Sequence, residues 1–387
     1  MFAMVNVVPA AVQVFAVVLR HGPISRVEVT ARTGLSPAAV TKAVRPLVDA
    51  GYLTERPDER GPSRLGRPAM PVQVVADRAF FIGVKLTADE VIAVRTDLCG
   101  GTRAVVHRPL AATAVADVVE VLAEVVHGLA LGHDVACLGV SLAGDVLRDT
   151  GMVRFSPFLN WRNVPLADLV SAATGLPTLI ENDVRALTVA EHWFGAGVGV
   201  SSFALVTAGT GIGCGLVVND VLLPAGELGH VAIDVDGPEC YCGGRGCVEA
   251  LAADRVVLAG CSAVVGRALT MPEAIELGRA GDPAVHAVFE RAGRALGLAL
   301  AAVANLVGPE RIVLTGEAVG GYDLYAEQIR QALAAQAFGA AAACELVVRP
   351  LPFDEWARGA AVVGIQDLIT RNGAVRGSAG AVTLPVR

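Results

Sequence analysis

The sequence predicts an α/β protein: a winged helix-turn-helix head joined to a body of two α/β lobes. Three observations predict it. The first seventy-odd residues read as short capped helices followed by a basic ribbon. From Ala79 onward, two series of strands followed by helices succeed one another. And 387 residues are too many for one ordinary core.

Composition narrows the class. The chain is 53% apolar and 18% charged, which is globular rather than disordered. It has no uninterrupted apolar run of about 18 residues, so no membrane span is expected. The opening "MFAMVNVVPAAVQVFAVVLR" is apolar. However, Asn6, Pro9 and Gln13 interrupt it and no basic residue precedes Arg20, so it reads as a first helix rather than a secretory leader. A cytoplasmic, nucleoid-associated location is expected, with cysteines free or metal-bound.

Charge separates head from body. Residues 1–76 carry nine basic and five acidic side chains, a net of +4; the remaining 22 and 33 give −11. A basic head on an acidic body points the head toward a polyanion. In "GPISRVEVTARTGLSPAAVTKAVRPLVDAGYLTERP", a helix over about 25–32 breaks at Gly34. Ser36 then caps a second helix, and Pro37 takes its first turn, where a missing N–H costs nothing. Val40, Val44, Leu47 and Val48 recur at helical spacing and should face the core. Ala38, Thr41, Lys42 and Arg45 fall opposite, as small, hydroxyl and basic side chains suited to a major groove. Strands over Tyr52–Glu55 and Val72–Val75 should frame a wing holding Arg56, Arg60, Arg64 and Arg67. Its "RLGRP" is basic and flat enough for a minor groove.

The body reads in order. "FFIGVKL", "VIAVRTDL" and "TRAVVHRPL" form a meander, followed by a helix over about 114–131 and the strand "VACLGVSLAG". "LPTLIEND" leads into the helix "VRALTVAEHWFG". A second series begins with "FALVTAGTGIGCGLVVNDVLL". It continues with a long helix over about 283–306, "RIVLTG", a helix over 322–337, "ELVVRP" and a last helix near 356–370.

Three features can carry chemistry. Asp183 in "ENDVRA" ends a strand, where its carboxylate can take a hydroxyl proton or merely cap a helix; Asn182 beside it can bond a second hydroxyl. "TAGTGIGCG", Thr207 to Gly215, is either an anion-cradling loop or a tight hairpin. The stretch "ECYCGGRGCVE" places Cys240, Cys242 and Cys247 after His230. Three thiolates and an imidazole complete a tetrahedral Zn2+ site with no place for a catalytic water, so the ion would be structural. Glu227 and Glu249 flank this staple.

Together these residues resemble the ROK family, named for repressors, open reading frames and sugar kinases. "SPFLNWRNVPL", "GLPTLIENDVRALTVAEHWFGAG", "GTGIGCG", "GELGH" and "CYCGGRGCVEA" follow in family order, and the match runs from about residue 15 to 370. The resemblance implies a two-lobed, actin-like, sugar-kinase-like fold whose last helix returns to the first lobe. The domains expected are 1–76 for the head, 77–183 plus 358–387 for the first lobe, and 184–357 for the second. It also implies that Asn182, Asp183, Glu227, His230 and Glu249 contact sugar hydroxyls, with Asp183 at the position of the kinase base.

One departure decides the expected function. Family kinases open the first lobe with an acidic-x-Gly-x-Thr phosphate loop; here Lys85-Leu86-Thr87 stands in its place. Without the acid and the glycine, magnesium and phosphate are poorly held, so no enzyme activity is expected. The expected function is a sugar-responsive bacterial regulator. It would bind a palindromic operator as a homodimer and take a sugar or sugar phosphate between its lobes. The rivals are an ATP-dependent sugar kinase with a regulatory head, and a scaffold whose head binds protein.

Overall fold

The structure, a computed structural model, describes residues 9–55, 70–224 and 226–370. It forms two compact units, Met1–Phe194 with Phe353–Arg387, and Gly195–Pro352.

The head contains α1 (Ala10–His21), α2 (Arg26–Thr33), α3 (Pro37–Asp49) and the antiparallel pair β1 (Leu53–Glu55) and β2 (Val72–Val74). A capping box between Ser25 and Glu28 starts α2, and Gly34 in the left-handed region ends it. Ser36 Oγ accepts from the Ala39 N–H to start α3. Val40, Val44 and Leu47 are fully buried as the periodicity predicts, but Val48 is only half-buried. Ala43 takes its place in the core, because the inward stripe of α3 is centred one residue earlier.

The first sheet is built from β3 (Phe80–Leu86), β4 (Glu90–Asp97) and β5 (Thr102–Pro109) as an antiparallel meander. Helix α4 (Val115–Ala130) carries the chain to β6 (Val135–Leu142), parallel to β3. A small sheet of β7 (Asp145–Leu147), β8 (Met152–Ser156) and β9 (Trp161–Val164) follows. Then come α5 (Leu166–Thr174), β10 (Thr178–Asn182) parallel to β6, and α6 (Asp183–Phe194).

In the second unit, β11 (Phe203–Ala208), β12 (Ile212–Val218) and β13 (Val221–Leu222) form another meander. Helices α7 (Val248–Ala252), α8 (Asp254–Val265), α9 (Met271–Arg279) and α10 (Pro283–Val307) precede β14 (Arg311–Thr315), parallel to β11. Helix α11 (Tyr322–Gln336) and β15 (Glu345–Val348), parallel to β14, complete the unit. The strand order is β10-β6-β3-β4-β5 in the first sheet and β15-β14-β11-β12-β13 in the second. The two sheets therefore share one topology.

The last helix, α12 (Phe353–Thr370), belongs to the first unit. Strand alternation explains how it sits. Ile82, Val84 and Leu86 face the core shared with α4 and α5. Phe81, Gly83 and Lys85 therefore face the other way. There α12 lies so close that a Cβ on Gly83 would come 2.0 Å from the Ala357 carbonyl oxygen, and one on Gly139 1.9 Å from that of Ala360.

The units divide at Phe194/Gly195 and Pro352/Phe353, not at the expected 183/184 and 357/358. Helix α6 stays with the first unit because its Ala186 meets Gly359 of α12 and its Glu191 faces Arg358 at 3.8 Å. The head also groups with the first lobe. Arg78 Nε donates to the Ala50 carbonyl at 3.2 Å with its guanidinium 4.7 Å from the Tyr52 ring centre, and Arg20 lies 5.7 Å from the Trp193 ring centre. The sheet β7-β8-β9 and helices α5, α7, α8 and α9 had no expected counterpart.

Candidate functional site

The head presents an open face. Ser36, Ala38, Thr41, Lys42 and Arg45 are all exposed along α3, and the Arg45 side chain is 84% accessible. Arg64, Arg67 and the rest of the wing loop lie outside the described residues.

In the first unit, Asn182 and Asp183 sit where β10 passes into α6. The Asn182 side chain donates to the Gly144 carbonyl at 3.1 Å and accepts from the Arg185 N–H at 3.2 Å. Asn182 thus supplies the side-chain cap of this helix. Asp183 Oδ1 accepts from the Val184 N–H at 2.9 Å, and its Oδ2 accepts from Lys85 Nζ. Both side chains of that ion pair are 7% accessible, and the ammonium lies 5.2 Å from the Trp356 ring centre on α12. Lys85 is thus paired with Asp183 in a buried ion pair. Beyond it, Thr87 Oγ1 accepts from the N–H groups of Asp89 at 3.3 Å and Glu90 at 3.0 Å. The turn therefore uses its own amide donors.

In the second unit, His230, Cys240, Cys242 and Cys247 converge, with their ligand atoms all within 4.8 Å of one another. Cys242 Sγ and Cys247 Sγ are 3.8 Å apart, and His230 Nδ1 is 3.7 Å from Cys240 Sγ. A tetrahedral ion with bonds of about 2.3 Å to sulfur sets its sulfurs about 3.8 Å apart. The set can hold a metal ion. The Gly244 N–H is the main cause that draws the exposed Cys242 thiol below its usual range, whereas burial above all pushes Cys247 up to about 11.

Glu227 is exposed just before the turn Leu228–His230. Glu249, in the first turn of α7, is 6% accessible; its Oε2 accepts from the Ile212 N–H at 3.2 Å, and Arg255 Nη2 is 3.4 Å from its Oε1. The glycine-rich segment Thr207–Gly215 closes the β11–β12 hairpin, the second of its two sequence readings. Two carboxylates border it: Glu317 against Gly209, and Asp254, whose N–H donates to the Gly209 carbonyl at 2.8 Å. Burial, then the charge of Glu317, pushes the Asp254 carboxyl up to about 6.

Sequence reasoning missed three side chains. Trp356 beneath Lys85 carried no local signal. Arg255 lies six residues beyond Glu249, at the start of the next helix. Tyr241 sits inside the cysteine stretch itself. Its hydroxyl is 3.3 Å from His230 Nε2, and burial followed by the charge of Glu249 pushes the phenol up to about 12.

Comparison with known proteins fits this architecture. The ROK family profile matches residues 81–369. The chain belongs to the ROK family. A MarR family profile matches residues 6–61 of the head. The xylose repressor of Bacillus subtilis (strain 168) is 26% identical over 333 residues, 83% of this chain and 85% of that protein. The glucokinase of Thermotoga maritima is 35% identical over 220 residues, which is only 52% of this chain and 69% of the kinase. A crystal structure of a ROK family transcriptional regulator, a homolog of the E. coli MLC protein, superposes with a TM-score of 0.79 at 26% identity. That match covers 94% of this chain and 96% of the other. The repressor-type relatives extend over the head as well as the body.

Proposed function

We propose that this ROK protein is a bacterial transcriptional regulator that binds operator DNA through α3 and responds to a sugar or sugar derivative. The observation that carries this reading is the Lys85–Asp183 pair. A kinase needs Asp183 free to accept a hydroxyl proton and an acidic group near magnesium. Here the carboxylate is engaged by an ammonium, and the same ammonium stands where the metal-binding acid belongs. The amide donors of the Thr87 turn are also in use. Phosphoryl transfer has lost its machinery, while the recognition face of the head stays open.

Asn182, Asp183, Glu227, His230 and Glu249 are the sugar contacts, with Asp183 as a hydroxyl acceptor rather than a catalyst. The four-membered His/Cys set holds zinc. Its thiolate-rich donors and tetrahedral edges suit that ion, and four protein ligands make it a staple. The active form is a cytoplasmic homodimer, one head per operator half-site.

The test is fluorescence anisotropy of the chain on its own upstream DNA, with glucose, xylose, N-acetylglucosamine and their phosphates. The reading predicts tight binding that one ligand changes at least about tenfold, roughly 1.4 kcal/mol of coupling. Binding unmoved by any sugar, or sugar-dependent ADP release at enzyme-like turnover, overturns it.

A further inference from the structure

Glu181 immediately precedes the pair assigned above to sugar, and it is itself 2% accessible. Strand alternation puts it on the α12 face of the first sheet. Ile180 packs in the core with α4 and α5, so Glu181 points the other way, in one cross-strand row with Ser141 and Lys85. A carboxylate at such a depth needs partners. Its Oε1 has two: it accepts from the Asn182 N–H and from Arg185 Nε, each at 2.9 Å. The Arg185 N–H in turn donates to Asn182 Oδ1 at 3.2 Å. Three residues thus close a ring of hydrogen bonds around the turn from β10 into α6. Because β10 is the outermost strand of its sheet, this ring supplies support that a further strand would otherwise give.

The second oxygen brings in a separate element. Glu181 Oε2 has no hydrogen-bond partner among the described residues, and Arg148 Nη1 lies 3.5 Å from it. Arg148 directly follows β7. Its Nη1 donates to Gln366 Oε1 at 3.4 Å, and its Nη2 is 3.7 Å from Asp367 Oδ1, both on α12. Just before β7, the Gly144 carbonyl accepts from Asn182 Nδ2 at 3.1 Å. The segment 144–148 therefore grips the same turn twice, by a hydrogen bond to Asn182 and by charge at Glu181. These contacts fix the plane of the Asn182 amide and leave it a second amide proton and a second lone pair for a ligand.

We propose that Glu181 is a positioning residue for the sugar contacts: without touching the ligand, and with Arg148 as its counter-charge, it fixes the turn that presents Asn182 and Asp183. This rests on the assignment of Asn182 and Asp183 to sugar. A hydrogen bond weakens with angle as well as distance. A loosened turn therefore costs the hydroxyl bonded at that turn and spares the hydroxyls assigned to Glu227 and His230.

The test is calorimetric titration of the full-length, metal-loaded chain with glucose, xylose and N-acetylglucosamine, followed by the monodeoxy analogues of whichever binds. Asn182→Ala first identifies the hydroxyl read at the turn, as the one whose removal from the ligand makes that substitution silent. Glu181→Ala should weaken binding of the parent sugar about three- to tenfold, the range of one net hydrogen bond, and leave binding of that deoxy analogue unchanged. Glu181→Gln keeps the accepting oxygen and should restore most of the affinity. Should Glu181→Ala fail to fold, Arg148→Gln, at a partly exposed position, is read in the same way. An equal loss for every analogue, no loss at all, or a glutamine no better than alanine overturns the proposal, because Glu181 then serves the fold at large or nothing. If wild type binds none of these sugars, the sugar-sensor reading is what fails, and hydrogen exchange at the Asn182 amide, wild type against Arg148→Gln, decides the rest. Exchange at least about tenfold faster in the variant upholds the held turn, and equal rates overturn it.

Discussion

Lys85 Nζ donates to Asp183 Oδ2 across the face of the first sheet that α12 covers, so two residues 98 positions apart form one buried ion pair. Each charge depends on the other. Lys85→Met leaves a buried carboxylate without its cation and should destabilise the chain by about 3–5 kcal/mol. Adding Asp183→Asn should recover most of that loss. Urea unfolding of the two single variants and the double variant measures the coupling; additive losses would refute it.

Asp183→Asn alone should abolish or sharply weaken the sugar response while DNA affinity without sugar changes little. Anisotropy titrations on the operator, with and without sugar, check this. A response equal to wild type would remove Asp183 from the sugar contacts.

Metal removal should lower the melting temperature and open the thiols. In the chelated chain, iodoacetamide should modify the exposed Cys242 before the buried Cys247, since the thiolate is the nucleophile and the two thiols shift in opposite directions. With zinc restored, all three thiols of the cluster should be protected. Native mass spectrometry should find one ion per chain.

Asp254 sets a pH dependence. Its carboxyl keeps its proton to about 6 in the folded chain, against an ordinary 3.8. Between those values the folded state binds more protons than the unfolded state. This group's contribution to stability therefore falls as pH rises from 3.8 to about 6 and stays lowest above that. Asp254→Asn should raise the melting temperature at neutral pH, and the gain over wild type should fade in mild acid. A gain that is constant with pH would assign the effect to packing instead.

On the recognition helix, Lys42→Ala should weaken binding to all DNA and reduce the salt slope by about one. Thr41→Ala should change the preference among operator variants with little change in that slope.

The elements most legible in the sequence were those with strong local signals. Ser36, Pro37 and the apolar stripe set α3, and "FFIGVKL" maps onto β3 without change. The His/Cys spacing identified a cluster that the fold does bring together. The small sheet β7-β8-β9 escaped because its strands are short and mix exposed with buried positions, as in Met152–Ser156. Lys85 was legible as a departure but not as the partner of Asp183. That pairing depends on β6 lying between β3 and β10, with α12 above them, which no local pattern encodes. Tyr241 escaped because the cysteines around it supplied a complete account of the stretch.

Helix α12 ends the described chain but covers the sheet with which the body begins. During synthesis the ribosome must therefore add the whole of Gly195–Pro352 before the first sheet receives its lid, a delay on the order of ten seconds at about 5–20 residues per second. Throughout that interval the nascent chain exposes the groove around Gly83 and Gly139 and leaves the Lys85–Asp183 pair without the cover of Trp356. A premature stop anywhere before Phe353 leaves that face bare, and such a fragment is a substrate for chaperones and proteases rather than a free-standing DNA-binding head with half a body.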